Sequence, residues 1–134
     1  NTGMVRVYAF SYKVDEIAWW ILNRGPVLVG TDWTMDMFQP DKDNIIHPSG
    51  SVVGGHAYFL RKKSRDDYFL ARSSWGNEWG INGEALISLV DFETLLHHGG
   101  EAIACMEEEI PTIPYPKSDG CSELLFKLFR LNVV

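Results

Sequence analysis

Between Val53 and Gly83 the chain reads VGGHAYFLRKKSRDDYFLARSSWGNEWGING. Its residues able to do chemistry are one imidazole (His56), two adjacent hydroxyls (Ser73 and Ser74) and two indoles (Trp75 and Trp79). An imidazole takes and returns a proton near neutral pH, and a hydroxyl at hydrogen-bond distance can hold the ring in one orientation. The spacing brings these groups together. Two runs of alternating β-formers flank Lys62-Lys63-Ser64-Arg65-Asp66-Asp67 and read as a hairpin. His56 then starts one strand, and Ser73-Ser74-Trp75 lies just past the end of its partner, facing it across an antiparallel ladder. A histidine beside hydroxyls and an indole at a hairpin mouth is a catalytic half-site. The plain alternative is a structural histidine heading an apolar strand.

The elements that must carry this hairpin follow from pattern. Residues 4–12 (MVRVYAFSY) alternate and are β-rich, a strand. Asp15 is placed to cap a helix from Glu16 to Arg24 that Gly25-Pro26 stops. That helix is apolar nearly all round, which requires cover on both faces; Trp19 and Trp20 pack against the sheet or a neighbour, or line a substrate cleft. Val27 to Thr31 is a short buried strand, and residues 32–52 form a loop rich in Asp, Pro, Gly and Ser. Glu84 to Leu89 is another strand, Asp91 is placed to cap a helix from Phe92 to His98, and Gly99-Gly100 ends it. His97 and His98 read as surface cations at that helix end. Residues 101–106 close the sheet with Cys105 buried in the strand. Residues 110–120 (IPTIPYPKSDG) form an extended proline-rich linker, and 121–134 an apolar tail suited to docking in a protein assembly.

Composition narrows the function classes. The chain of 134 residues suits a single globular unit, and 46% apolar with 13% aromatic residues excludes a disordered one. A net charge of −6 argues against a nucleic-acid partner. No apolar run approaches the length of a membrane-spanning helix, so no membrane span is expected. Two cysteines define no disulfide framework and leave the compartment undetermined. Asp32, Asp36, Asp41, Asp43 and His47 share the long loop, but their spacing matches no metal-ligand motif, so neither metal nor cofactor is expected. An opening Asn-Thr-Gly without methionine suggests a processed product or an internal start.

The combination GGHAYFL, then YFLARSSWGNEWGINGEALIS, preceded by Arg24-Gly25-Pro26-Val27-Leu28-Val29, resembles the C-terminal half of papain-like cysteine proteases over roughly residues 5–105. The resemblance implies an α+β fold: an antiparallel, β-barrel-like half of the papain-like architecture with short peripheral helices, spanning residues 1–109. It implies that His56 is the general base and acid, that Ser73 stands where the family has an asparagine that orients the imidazole, and that Trp75 shields their hydrogen bond from water. Gly54, Gly55 and Trp79 fall on the substrate side, although Trp79 better suits packing of its loop; Trp33 and Met37 become candidates for substrate contact. The family's nucleophilic cysteine, helix-borne and preceded by a glutamine, has no counterpart before His56, since the first cysteine is Cys105.

Three functions follow. The chain is the histidine-bearing half of a cysteine peptidase whose cysteine-bearing N-terminal half, in the same or another chain, completes a site for a peptide or protein substrate. Or it is an inactive module that binds peptides or builds an assembly. Or Cys121, which follows Gly120 at a helix start where thiol pKa values fall, supplies the nucleophile in permuted order.

Overall fold

A computed structural model describes residues 7–65, 67–106 and 132–133. Among these residues are seven strands and two helices: β1 (Val7–Ser11), α1 (Val14–Asn23), β2 (Val27–Thr34), β3 (Val52–Arg65), β4 (Tyr68–Arg72), β5 (Glu84–Ser88), α2 (Leu89–His97), β6 (Glu101–Met106) and β7 (Asn132–Val133). A 3-10 turn, Met35–Phe38, follows β2. The strands make one antiparallel sheet in the order β5-β4-β3-β2-β6-β1-β7, and the fold is α+β.

One face of this sheet carries the core. Along β2 the side chains of Val27, Val29, Thr31 and Trp33 are buried, the period-two signature of a half-covered strand. Tyr58 and Leu60 of β3, Phe69 and Ala71 of β4, Ala85 and Ile87 of β5, and Ala102 and Ala104 of β6 continue the same layer. The helices pack on it: α1 inserts Ile17, Trp20 and Ile21, and α2 inserts Phe92, Leu95 and Leu96. Each set follows helical spacing, so one stripe of each helix is buried. The other stripe of α1 is open, and Leu22 is 63% exposed, so cover on both faces is not what the helix has. Trp20 is a core residue.

Local chemistry moves several boundaries from where the sequence put them. Helix α1 starts at Val14, with Lys13 at the N-cap; Asp15 sits inside the first turn, its Oδ1 accepting the Glu16 amide at 3.0 Å. Glu16 is buried yet satisfied: the Ser11 hydroxyl donates to it at 2.7 Å, and Lys13 Nζ lies 3.4 Å away. Helix α2 is capped by Ser88, whose Oγ accepts the Asp91 amide at 3.0 Å, so Asp91 is the third helical residue and not the cap. Strand β2 runs on to Thr34, because Trp33 keeps the inward alternation. Strand β3 likewise runs through Lys62–Arg65, with register shifts that absorb the extra residues, so the hairpin turn is tighter than its charged segment suggested. In β6 the inward residues are Ala102 and Ala104; Cys105 is therefore exposed, not buried. The linker 110–120, and the tail but for Asn132–Val133, lie outside the described residues.

In the core Phe69 of β4 meets Phe92 of α2 edge to face, with centroids 5.5 Å apart and neither ring exposed. Phe69→Ala should lower the unfolding free energy by about 3–5 kcal/mol, the usual cost of emptying an aromatic core site. Val90→Ala, on the exposed stripe of the same helix, should stay within about 0.5 kcal/mol. Urea denaturation of both variants checks the contrast.

Candidate active site

His56 sits within β3, four residues past its first residue Val52, and pairs with Thr31 of β2. Alternation puts it on the core face with Tyr58 and Leu60, one step beyond the last fully covered position. Its ring is half-buried, with two aromatic rings stacked against it. Trp75 stacks on it with centroids 4.4 Å apart at 27°, and Tyr58 lies nearly parallel to it at 5.9 Å and 15°. Trp33 meets its edge at 4.7 Å.

The ring is held by one hydrogen bond. His56 Nε2 lies 3.2 Å from Ser73 Oγ, just past the end of β4. Ser73 is itself fixed, because its amide donates to the Gly83 carbonyl at 3.2 Å and its Oγ accepts the Trp75 amide at 3.4 Å. Nδ1 has no partner among the described residues. Burial pushes the His56 imidazolium down, so the neutral ring is favoured at neutral pH.

Ser73 is 6% exposed, under Trp75. Buried so, it offers no hydroxyl to an outside substrate, and its contact is with the ring nitrogen. Trp75, 39% exposed, stacks on His56 and leaves part of its indole to solvent. It is backed by Phe38, stacked on it at 5.2 Å and 6°. Trp79 is buried, and its indole N–H donates to the Phe38 carbonyl at 3.0 Å, tying the loop after β4 to the turn after β2. Trp33 and Met37, at 2% and 0% exposure, are core residues and have no surface to offer a substrate.

Gly54 and Gly55 lie exposed on β3 beside the histidine. A Cβ at Gly54 would meet nothing within 4 Å, and one at Gly55 only the Thr31 carbonyl at 3.9 Å. No packing demands glycine here; its effect is a strand surface without side chains next to His56.

Three contributors escaped the reading of the sequence. Thr31 and Tyr58 form a buried pair beneath the histidine: the Thr31 hydroxyl donates to the Asp32 carbonyl at 3.0 Å, leaving Tyr58 to donate to Thr31 Oγ1 at 3.3 Å. Burial drives the Tyr58 phenol strongly upward, so it stays protonated. Period-two alternation from His56 was the available signal for Tyr58. Phe38 had none, since only the 3-10 turn brings it under Trp75. The acidic loop holds no metal cluster among the described residues. Its His47 instead clasps Asp41 at 2.9 Å, with Asp91 of α2 at 3.8 Å on the far nitrogen.

Cys105 cannot serve His56. It pairs with Tyr8 of β1 and points to the opposite face of the sheet. Its level along β6 is also about five residues from that of His56, roughly 17 Å.

Residues 2–91 match the family model for papain family cysteine proteases. The chain is 33% identical over 79 residues to the cathepsin B-like cysteine proteinase 5 of Caenorhabditis elegans, an overlap covering 57% of this chain and 23% of that protein. It is 25% identical over 114 residues to macrodontain-1 of Ananas macrodontes, covering 84% and 52% respectively. Its fold superposes on the bromelain protease of Ananas comosus, solved with the E64 inhibitor, with a TM-score of 0.59 at 17% identity over 81% of this chain and 53% of the other. The chain thus spans from about a quarter to about half the length of the relatives it matches. It belongs to the papain family of cysteine proteases.

Proposed function

We propose that this chain supplies the histidine side of a papain-type peptidase site, with His56 as general base and acid for a cysteine carried on a segment outside the described residues. The observation that carries this reading is the held ring: Nε2 on Ser73 at 3.2 Å, one face under Trp75, and Nδ1 without a partner among the described residues. A nucleophile approaching Nδ1 would meet a ring already oriented. A thiol attacks poorly at neutral pH until an imidazolium stabilises its thiolate. The same group then protonates the leaving amine. Gly54 and Gly55 would let an extended peptide backbone pass close to the ring.

The partner is a cysteine-bearing helical segment, in the same polypeptide or another, and the substrate a peptide or protein. Cys121 as a permuted nucleophile has weaker support, since no glutamine lies among the ten residues before it. Residues 121–134, with six large apolar side chains from Leu124 to Leu131, are proposed to dock in the resulting assembly. A second reading, an inactive module that keeps the fold to bind peptides, is favoured by one observation: a serine at position 73 where the family has asparagine.

The two readings differ in hydrolysis. The chain should be isolated from its native source with whatever accompanies it and assayed on a fluorogenic peptide with and without iodoacetamide. The peptidase reading expects thiol-dependent cleavage that falls roughly 10²–10⁴-fold in His56→Ala, the range for losing a general acid–base. Cleavage indifferent to that substitution, or absent although a cysteine-bearing partner is present, leaves the binding module.

The protonation of His56 can be followed in the chain itself. Its folded pKa lies below the ordinary value of 6.5, so the native state holds the neutral ring more strongly than the unfolded chain does. Stability from this group is therefore complete above 6.5 and is lost as pH falls from there through the lower folded value. Asp41, lowered by its His47 hydrogen bond, acts in a separate window below 3.8. NMR titration should place the His56 midpoint below 6.5, and Trp75→Ala should move it back up. Unfolding free energies measured within the His56 window, from 6.5 downward and above 3.8, should lose the part of their pH slope due to this group in His56→Gln.

A further inference from the structure

Serine and asparagine differ in what they can do for a histidine nitrogen. An amide oxygen only accepts, so it requires a proton on the ring nitrogen facing it; a hydroxyl has one proton to give and two lone pairs. At Ser73 one lone pair takes the Trp75 amide at 3.4 Å, and the oxygen lies 3.2 Å from His56 Nε2. Among the described residues the hydroxyl has no other hydrogen-bond partner, and the side chain is buried. Its proton therefore has one acceptor within reach, the Nε2 lone pair of a neutral imidazole. If the ring donated from Nε2 instead, the hydroxyl proton would be buried without an acceptor, the arrangement folded proteins avoid most consistently. The described surroundings of the ring add no charge to override this, since Trp33, Tyr58 and Trp75 face it from β2, β3 and the loop after β4.

We propose that Ser73 is a positioning residue that donates its proton to Nε2, so that the resting His56 carries its own proton on Nδ1 and turns a donor, not a base, toward the open side of the site. In this form the ring takes an acceptor: a thiolate, or the carbonyl oxygen of a bound peptide. It cannot take the proton of a neutral thiol, because Nδ1 has no lone pair to receive it. For that step the Nδ1 proton must first be given up to solvent and Nε2 protonated, with the Ser73 hydroxyl rotating to accept. The S–H bond can then break with its proton going to Nδ1, giving thiolate and imidazolium. Serine thus makes the base a second, less populated state of the same ring, whereas an asparagine would make it the resting one.

The inference rests on His56 being the functional histidine but needs no partner cysteine. The tautomer is measured in this chain alone, whereas the peptidase reading fails only through hydrolysis. The test is a long-range proton–nitrogen correlation spectrum of the full chain with nitrogen-15 histidine, well above the ordinary histidine pKa of about 6.5. The four histidines are distinguished by His56→Gln. The wild-type ring should show a protonated Nδ1 and a bare Nε2, with the Nδ1–H form in at least about tenfold excess. Ser73→Asn should reverse the assignment, Ser73→Ala should abolish the excess, and Ser73→Thr should keep it. A wild-type ring protonated at Nε2 overturns the proposal, as does an Nδ1–H form that persists equally in Ser73→Ala. The wild-type spectrum decides the sign by itself, so a variant that fails to fold leaves the test intact.

Discussion

The site depends on the burial of one indole. Trp33 is in ring contact with Phe38, His56, Tyr58, Trp75 and Trp79, and so links β2, β3, the 3-10 turn and the loop after β4. Its Nε1 is buried without a hydrogen-bond partner among the described residues, which costs about 1–3 kcal/mol. Removing some 150–250 Å² of aromatic surface from water contributes roughly 4–6 kcal/mol. Burial wins, and the indole stays even with its donor unmet. Edge-to-face geometry with Trp75, at 87° and 5.2 Å, fixes that ring's plane, and Trp75 in turn fixes the face of His56.

Backbone constraint does the rest. The loop after β4 returns through Gly80 and Gly83, both with left-handed φ, at +58° and +80°. A Cβ on Gly80 would run into the Glu84 carbonyl, and one on Gly83 would stand 2.8 Å from the Gly76 carbonyl. Only glycine lets the loop fold this tightly against β5. The tight return carries the Ser73 amide to the Gly83 carbonyl, and that bond sets where the hydroxyl points. So the glycines matter to a histidine they never touch.

How much of this was legible depended on whether the deciding physics was local. The hairpin and the nearness of His56 to Ser73 and Trp75 rest on period-two alternation and strand pairing, both written in neighbouring residues. The ladder itself ends at Phe59 and Arg72, so His56 and Ser73 meet through their side chains and not as ladder partners. Cys105 was legible by the same rule, since Ala102 and Ala104 take the inward positions, but its apolar surroundings in sequence masked it. The cap of α2 was also local: Ser88 followed three residues on by Asp91 is a capping pattern, and choosing Asp91 set the helix start three residues late. Trp33 and Met37 were different. Nothing in the loop's composition reveals that β2 continues to Thr34, because that depends on β3 lying alongside it up to Val52. Long-range pairing decided their burial, and with it their loss as substrate contacts.

The arrangement separates two duties that a complete cysteine peptidase site combines. Orientation of the histidine is solved within this chain by Ser73, Trp75, Trp33 and the Thr31–Tyr58 pair, none of which requires a nucleophile to be present. Charge is not solved here. Burial in an apolar nest favours the neutral ring, and an imidazolium becomes stable in such a place only when an anion stands beside it. A thiolate at Nδ1 would be that anion, so each group would stabilise the charged form of the other. Rigidity without charge is what a histidine waiting for its counter-ion should have. It is also what a peptide-binding relic would keep, and thiol-dependent hydrolysis is where the two cases part.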